Sequence, residues 1–243
     1  MSRTFKTLLT LTGCLPAMAA ANSWMGMAQM SNDMFRQQML DPAGITRSQG
    51  VLQRAFDDRM IERAGKAGGQ GKADEAGLGY PAGQASRVPA RLAASLPSTL
   101  PPKQAAAAYE QLLTIYRDGM QHAGLPANDV GVALGVFIVG NYQVASGKAV
   151  PEAQSSAIYR QMRQLVASDA TLRQLDSRTR QDWGEQLAIV GTLMEVIYQQ
   201  AQSSGDKTLL ASSQAAARDY LQQVLQRPYS QLRFGPQGLT LAK

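Results

Sequence analysis

Three groups of side chains in this sequence could carry chemistry: one histidine, a few acids on one long amphipathic segment, and a set of methionines near the N-terminus. His122 is the sole histidine. It stands at the end of a predicted helix, where the helix dipole stabilises a cation. One histidine without cysteine partners cannot build the usual zinc sites unless carboxylates complete them. A Ser-His-Asp triad is compatible with the composition, but no GxSxG nucleophile elbow occurs. His122 is therefore read as a capping or surface residue.

The acids are Asp182, Glu185 and Glu195. A pair of carboxylates can hydrolyse a glycoside when the two flank one bond. Glu185 and Glu195 are ten residues apart. On a helix that leaves them roughly 80° apart around the axis, so they do not converge. Glu185 falls one turn after Gln181 and close to Trp183. The expectation is a partly buried polar contact between helices, with Gln181 and Glu185 meeting Asn141 and Tyr142. The same four residues are the candidate binding cluster.

Met25, Met27, Met30 and Met34 are spaced by two, three and four. Thioethers are soft ligands that select Cu(I), which makes these four a candidate metal set. Methionine is also a common filler of irregular apolar faces, and helical packing or partner binding is its more ordinary use. Nothing in the sequence asks for a cofactor. The glycines follow neither P-loop nor dinucleotide spacing. Arg160, Arg163, Arg173, Arg178 and Arg180 form a modest basic stretch without interleaved aromatics. That pattern reads as a solvated face and argues against a nucleic-acid partner. The expectation is a non-enzymatic protein with a protein or cell-envelope partner, a hydrolase acting on the envelope being the main alternative.

The elements that must position these residues begin with an export signal. Arg3 and Lys6 form a basic start, Thr7 to Leu15 a short apolar run, and Ala17-Met18-Ala19 a small–x–small cleavage pattern. Residues 1–19 are thus expected to be a signal peptide, and the mature chain periplasmic or secreted. Leu11-Thr12-Gly13-Cys14 offers an alternative, lipid modification of Cys14. Cleavage after Ala19 removes the only cysteine and lowers the formal net charge from +6 to +4. A chain without cysteine suits an oxidising compartment and excludes disulfides and thiolate sites.

Residues 20–64 read as a methionine-rich amphipathic arm, with Leu52, Phe56 and Met60 four apart. Residues 65–90 read as a flexible linker, since seven glycines fall between Gly65 and Gly83. Residues 91–243 read as an all-α helical domain. Its centre is Asn128 to Gly147, apolar on every side from Val130 to Val139. A helix that is apolar all round is a buried helix, and this run is too short to span a membrane. Asn128 is the expected N-cap and Gly147 the expected stop. Gly131 and Gly135 share one face and let a neighbouring helix come close. Amphipathic helices flank this centre: about 101–122, one after Pro151, a long one from Asp176 to about Gln202, and a last one after Asp206. Gly235-Pro236-Gln237-Gly238 marks either a small terminal hairpin or an extended tail.

The stretches GLPANDVGVALGVFIVGNYQV, QDWGEQLAIVG and LRFGPQGLTL resemble an uncharacterised bacterial family of exported helical proteins, a domain of unknown function. The resemblance covers about residues 80–241. It implies export and an α-helical domain, and it implies no activity.

Overall fold

The computed structural model describes residues 77–95 and 101–242. The expected signal peptide, Cys14, the methionine-rich arm and the linker up to residue 76 lie outside the described residues. Seven α-helices and one hairpin are present among them. In chain order the helices are α1 (Val88–Ser95), α2 (Pro102–His122), α3 (Val130–Ser146), α4 (Glu152–Ser168), α5 (Ala170–Arg173), α6 (Ser177–Ser204) and α7 (Lys207–Leu225). A single 3-10 turn, Tyr229–Gln231, leads into β1 (Leu232–Gly235) and β2 (Gly238–Leu241).

The fold is organised around α3. Every residue from Val130 to Asn141 is buried, as an all-round apolar helix requires. The N-cap is Asp129 and not Asn128: its carboxylate accepts from the amides of Gly131 and Val132 at 2.9 and 3.0 Å. Asn128 turns outward instead and donates to the carbonyl of Tyr80. Gly147, at φ +67°, closes the helix in the left-handed region that favours glycine.

Helix–helix spacing is set by glycine. A Cβ on Gly131 would lie 2.7 Å from the Arg163 backbone nitrogen, and one on Gly135 2.6 Å from the Tyr159 ring. Both would enter α4, so this pair exists to bring α4 against α3. On another face, a Cβ on Gly191 of α6 would lie 2.9 Å from the Phe137 Cα. The contacts Gly140–Gly191 and Gln143–Glu195 show that α3 and α6 run in the same direction. α6 is itself buried over most of its length, from Gln181 to Glu195. The centre of the molecule is thus two helices, α3 and α6, where the sequence suggests one.

α7 packs on α3 in the opposite sense, with the Phe137 and Tyr220 rings edge to face at 6.2 Å. The C-terminal residues form the hairpin. β1 and β2 pair antiparallel, with Leu232 opposite Leu241 and Gly235 opposite Gly238. An isolated two-stranded hairpin is marginal, and this one is seated on α4. The Gln161 side-chain amide donates to the Leu239 carbonyl at 2.8 Å and accepts from the Leu239 amide at 2.6 Å. Phe234 stacks on Tyr142 at 4.1 Å between ring centroids.

Residues 77–90 fall in the stretch read as a linker, and here they lie on the folded unit. Leu78, Tyr80 and Val88 are buried. Gly79 bridges to Asp129, with the Tyr80 amide donating to the Asn128 carbonyl at 3.0 Å and the Val130 amide to the Leu78 carbonyl at 3.1 Å. α1 follows at once, with Pro89 in its first turn, where a missing amide hydrogen costs no helical bond.

Candidate functional site

The strap 77–87 crosses the N-terminal half of α6, and α6 holds it with one face. Arg178, Gln181, Asp182 and Glu185 are spaced by three, one and three, which places them together on that face. Arg178 donates to the Ala85 carbonyl at 2.8 Å, and Gln181 to the Gln84 carbonyl at 3.1 Å. Arg180, one residue before Gln181, reaches the Gly79 carbonyl at 3.4 Å. Asp182 takes the Arg87 guanidinium through both Nε and Nη2, the closest contact being 2.5 Å, and Arg91 at 3.0 Å. Ser86 donates to Glu185.

Glu185 sits at the base of this arrangement and is 2% exposed. Its Oε1 accepts from Arg117 of α2 at 3.0 Å and from Gln181 at 3.1 Å, while its Oε2 accepts from Ser86. A buried carboxylate survives by being paired and hydrogen-bonded, and this one has three donors. Tyr80 lies beside it, its hydroxyl donating to the Ala127 carbonyl at 3.4 Å. Burial, with Glu185 close by, pushes the Tyr80 phenol well above its ordinary range.

Between the strap and α2 an open cleft of about 840 Å³ remains. One wall is the strap from Pro81 to Ser86, and the other is the face of α2 that carries Glu110, Thr114, Arg117 and Gln121. Leu113, Leu125 and Ala127 supply the apolar part of the floor, and Glu185 and Gln181 the polar part. The volume lies in the range of small-ligand pockets.

The structure brings Gln181 and Glu185 together as expected and separates them from Asn141 and Tyr142. The reason is register. With Gly140 level with Gly191, Asn141 lies about 10 Å further along α6 than Glu185, at 1.5 Å per residue. Asn141 is fully buried and donates to the Phe137 carbonyl within its own helix. Tyr142 is spent on Phe234. Glu195 forms a second, separate contact. It accepts from Gln199 at 2.7 Å and from Gln143 at 3.5 Å, and desolvation raises its pKa. His122 sits exposed in the last turn of α2, its Nδ1 2.6 Å from the Asp118 carbonyl oxygen. Met25, Met27, Met30 and Met34 lie outside the described residues. Among those residues no three acids, histidines or cysteines are grouped to hold a metal.

The arginine stretch is not simply a solvated face. Arg163 is buried and pairs with Asp129 at 3.3 Å, and Arg178 and Arg180 clamp the strap. Sequence reasoning also missed Arg117, Ser86, Arg87 and Arg91, because the partners are separated by 68 to 99 residues from α6. The one local signal was Arg117 itself, a charge beside the buried stripe of Tyr109, Leu112, Leu113 and Tyr116.

These features define a helical protein with a two-helix centre, a strap clasped to it by charge, and an open cleft beside the clasp. The chain belongs to the family of unknown function DUF6683, whose model matches residues 4–242. That match takes in the methionine-rich and glycine-rich segments, which lie outside the stretch that carries the sequence resemblance. No curated protein and no solved structure matches the chain. Among the described residues no helix is long and apolar enough to cross a membrane.

Proposed function

We propose that this is an exported, non-enzymatic protein that works by holding a protein or envelope partner, and that the cleft between the strap and α2 is the holding face. The observation that carries the reading is the contrast between spent acids and an open groove. Glu185 already accepts from Arg117, Gln181 and Ser86, and Asp182 from Arg87 and Arg91. A general acid or base must reach the proton it moves, and neither carboxylate has an oxygen left free of a protein donor. The envelope hydrolase thereby loses its best residue. Export rests on the basic start, the apolar run and the Ala17-Met18-Ala19 pattern alone.

The test is to fill the cleft. Thr114 is exposed on the α2 wall, and Thr114→Trp puts a large ring into the groove without touching the clasp. In-cell crosslinking should yield a partner adduct with the wild type and lose it with Thr114→Trp at unchanged circular dichroism. Undiminished crosslinking by Thr114→Trp would move the binding face elsewhere, and deletion of residues 20–64 would then show whether the arm carries it.

A further inference from the structure

We propose that the cleft takes a short, extended, uncharged stretch of polypeptide, read mainly through its backbone. This rests on the cleft being the holding face and adds what it holds.

Charge comes first. Among the described residues, the charged side chains lining the cleft are Glu110, Arg117 and Glu185. Arg117 and Glu185 neutralise each other at 3.0 Å, and Glu110 remains exposed at the rim. The groove therefore carries one net negative charge, although the chain as a whole is positive. A phosphate, a nucleic-acid backbone or an anionic headgroup is recognised by uncompensated cations, and the groove offers none. Anions are disfavoured, and because the one uncompensated charge stands at the rim, the inner length of the groove addresses an uncharged stretch.

The hydrogen-bonding groups come next. Gln84 on the strap and Gln121 on α2 line the groove from opposite walls, and neither side chain has a partner among the described residues. Each amide offers both donors and an acceptor, the same complement that a peptide group presents. The strap adds backbone donors. Its carbonyls at Gln84 and Ala85 are taken by Gln181 and Arg178, while the amides of Ala82, Gly83 and Ala85 have no acceptor among the described residues. A ligand lying along the strap must bring acceptors to these amides and groups that answer the two glutamines. A peptide backbone supplies carbonyls and N–H groups alternately. This is the logic of strand addition to an exposed backbone edge.

A neutral glycan could answer the same polar groups, but sugar rings are usually met by an exposed aromatic face. The aromatic residue in the lining is Tyr80, which is buried, with its hydroxyl turned to Ala127. The floor is instead Leu113, Leu125 and Ala127, suited to small apolar side chains such as alanine. The volume of about 840 Å³ holds a few residues and no folded domain.

The probe is the blocked peptide acetyl-(Ala-Ser)3-amide, titrated into the full chain and followed by backbone amide NMR, with chitotriose as the glycan. The expected result is saturable shifts at Ala82–Ser86 and along Thr114–Gln121, with affinity falling at least tenfold in Gln84→Ala/Gln121→Ala. Both substitutions are on exposed side chains, so circular dichroism and melting temperature should hold. Shifts with chitotriose and none with the peptide would overturn the proposal and make the cleft a glycan site. Peptide shifts outside the cleft, or equal affinity in the double variant, would overturn it as well. If neither probe binds while Thr114→Trp still abolishes crosslinking, the holding face stands and the backbone-reading ligand is wrong.

Discussion

At the scale of single residues, the acids on α6 differ by what surrounds them. Glu185 has a guanidinium within 3.0 Å. Glu195 is buried as well, and among the described residues it accepts from two neutral glutamine amides. Desolvation disfavours its charged form and raises its pKa. The folded protein therefore holds the Glu195 proton more tightly than the unfolded chain does. By linkage, the stability from this group is complete below the ordinary carboxylate range and is lost as pH rises through the folded-state value. Glu195→Gln removes the charge and keeps the acceptor for Gln199, giving up only the 3.5 Å contact to Gln143. Its melting temperature relative to wild type should climb as pH goes from 4 to 8. A gap that does not change with pH would mean that Glu195 carries no desolvation cost. The raised pKa was out of reach of the sequence, because the groups that meet each acid come from other elements. Arg117 of α2 and Ser86 of the strap reach Glu185, and Glu195 meets glutamine amides.

At the scale of elements, α3 shows what patterning can and cannot deliver. Its apolar circumference identified it as the buried helix, and Gly131, Gly135 and Gly147 did what their spacing and position suggested. The cap shifted by one residue because Asn128 found a better use, donating to the Tyr80 carbonyl across 48 positions. α1 straddles the boundary drawn at residue 91 and went unread, since an eight-residue helix offers too few turns for periodicity to register. The approach of α4 to α3 makes a strong prediction. A methyl group at Gly131 would meet the Arg163 backbone nitrogen at 2.7 Å and the Met162 carbonyl oxygen at 2.8 Å. Backbone on both sides cannot relax as a flexible side chain can. Gly131→Ala should destabilise by about 3 kcal/mol, the upper end for overpacking. The control is Gly235→Ala at the end of β1, where a Cβ would meet no described residue within 4 Å, and which should stay within about 0.5 kcal/mol of wild type. Denaturant melts of the two variants make the comparison. Equal stabilities would show that the helices are not in the close contact described.

At the scale of the whole molecule, the question is where the folded unit begins. Sequence composition places that boundary near residue 91, because glycine and small residues dominate up to Gly83. The structure moves it back to the strap, for reasons that no local window contains. Leu78 and Tyr80 are buried against elements some fifty and more residues later, and α6 contributes five of its side chains to pin the segment from Gly79 to Arg87. The strap is at once part of the core, one wall of the cleft and the route by which residues 1–76 join the rest. This has a direct consequence for truncation. A chain starting at Gly77 retains Leu78, Tyr80, Val88 and Leu92, and should be helical and unfold in a single cooperative transition. A chain starting at residue 96 loses all four. At about 2 kcal/mol for each buried side chain the loss is roughly 8 kcal/mol, as large as the whole stability of an ordinary domain. It also strips Arg87 and Arg91 from Asp182 and leaves Glu185 without Ser86. The shorter chain should therefore be largely unfolded at 25 °C, or bind hydrophobic dye as a loosened state. Circular dichroism and thermal melts of the two truncations decide the matter. Cooperative folding of the chain from residue 96 would demote the strap from core element to ornament, and the cleft would then be a groove that α2 and α6 present without it.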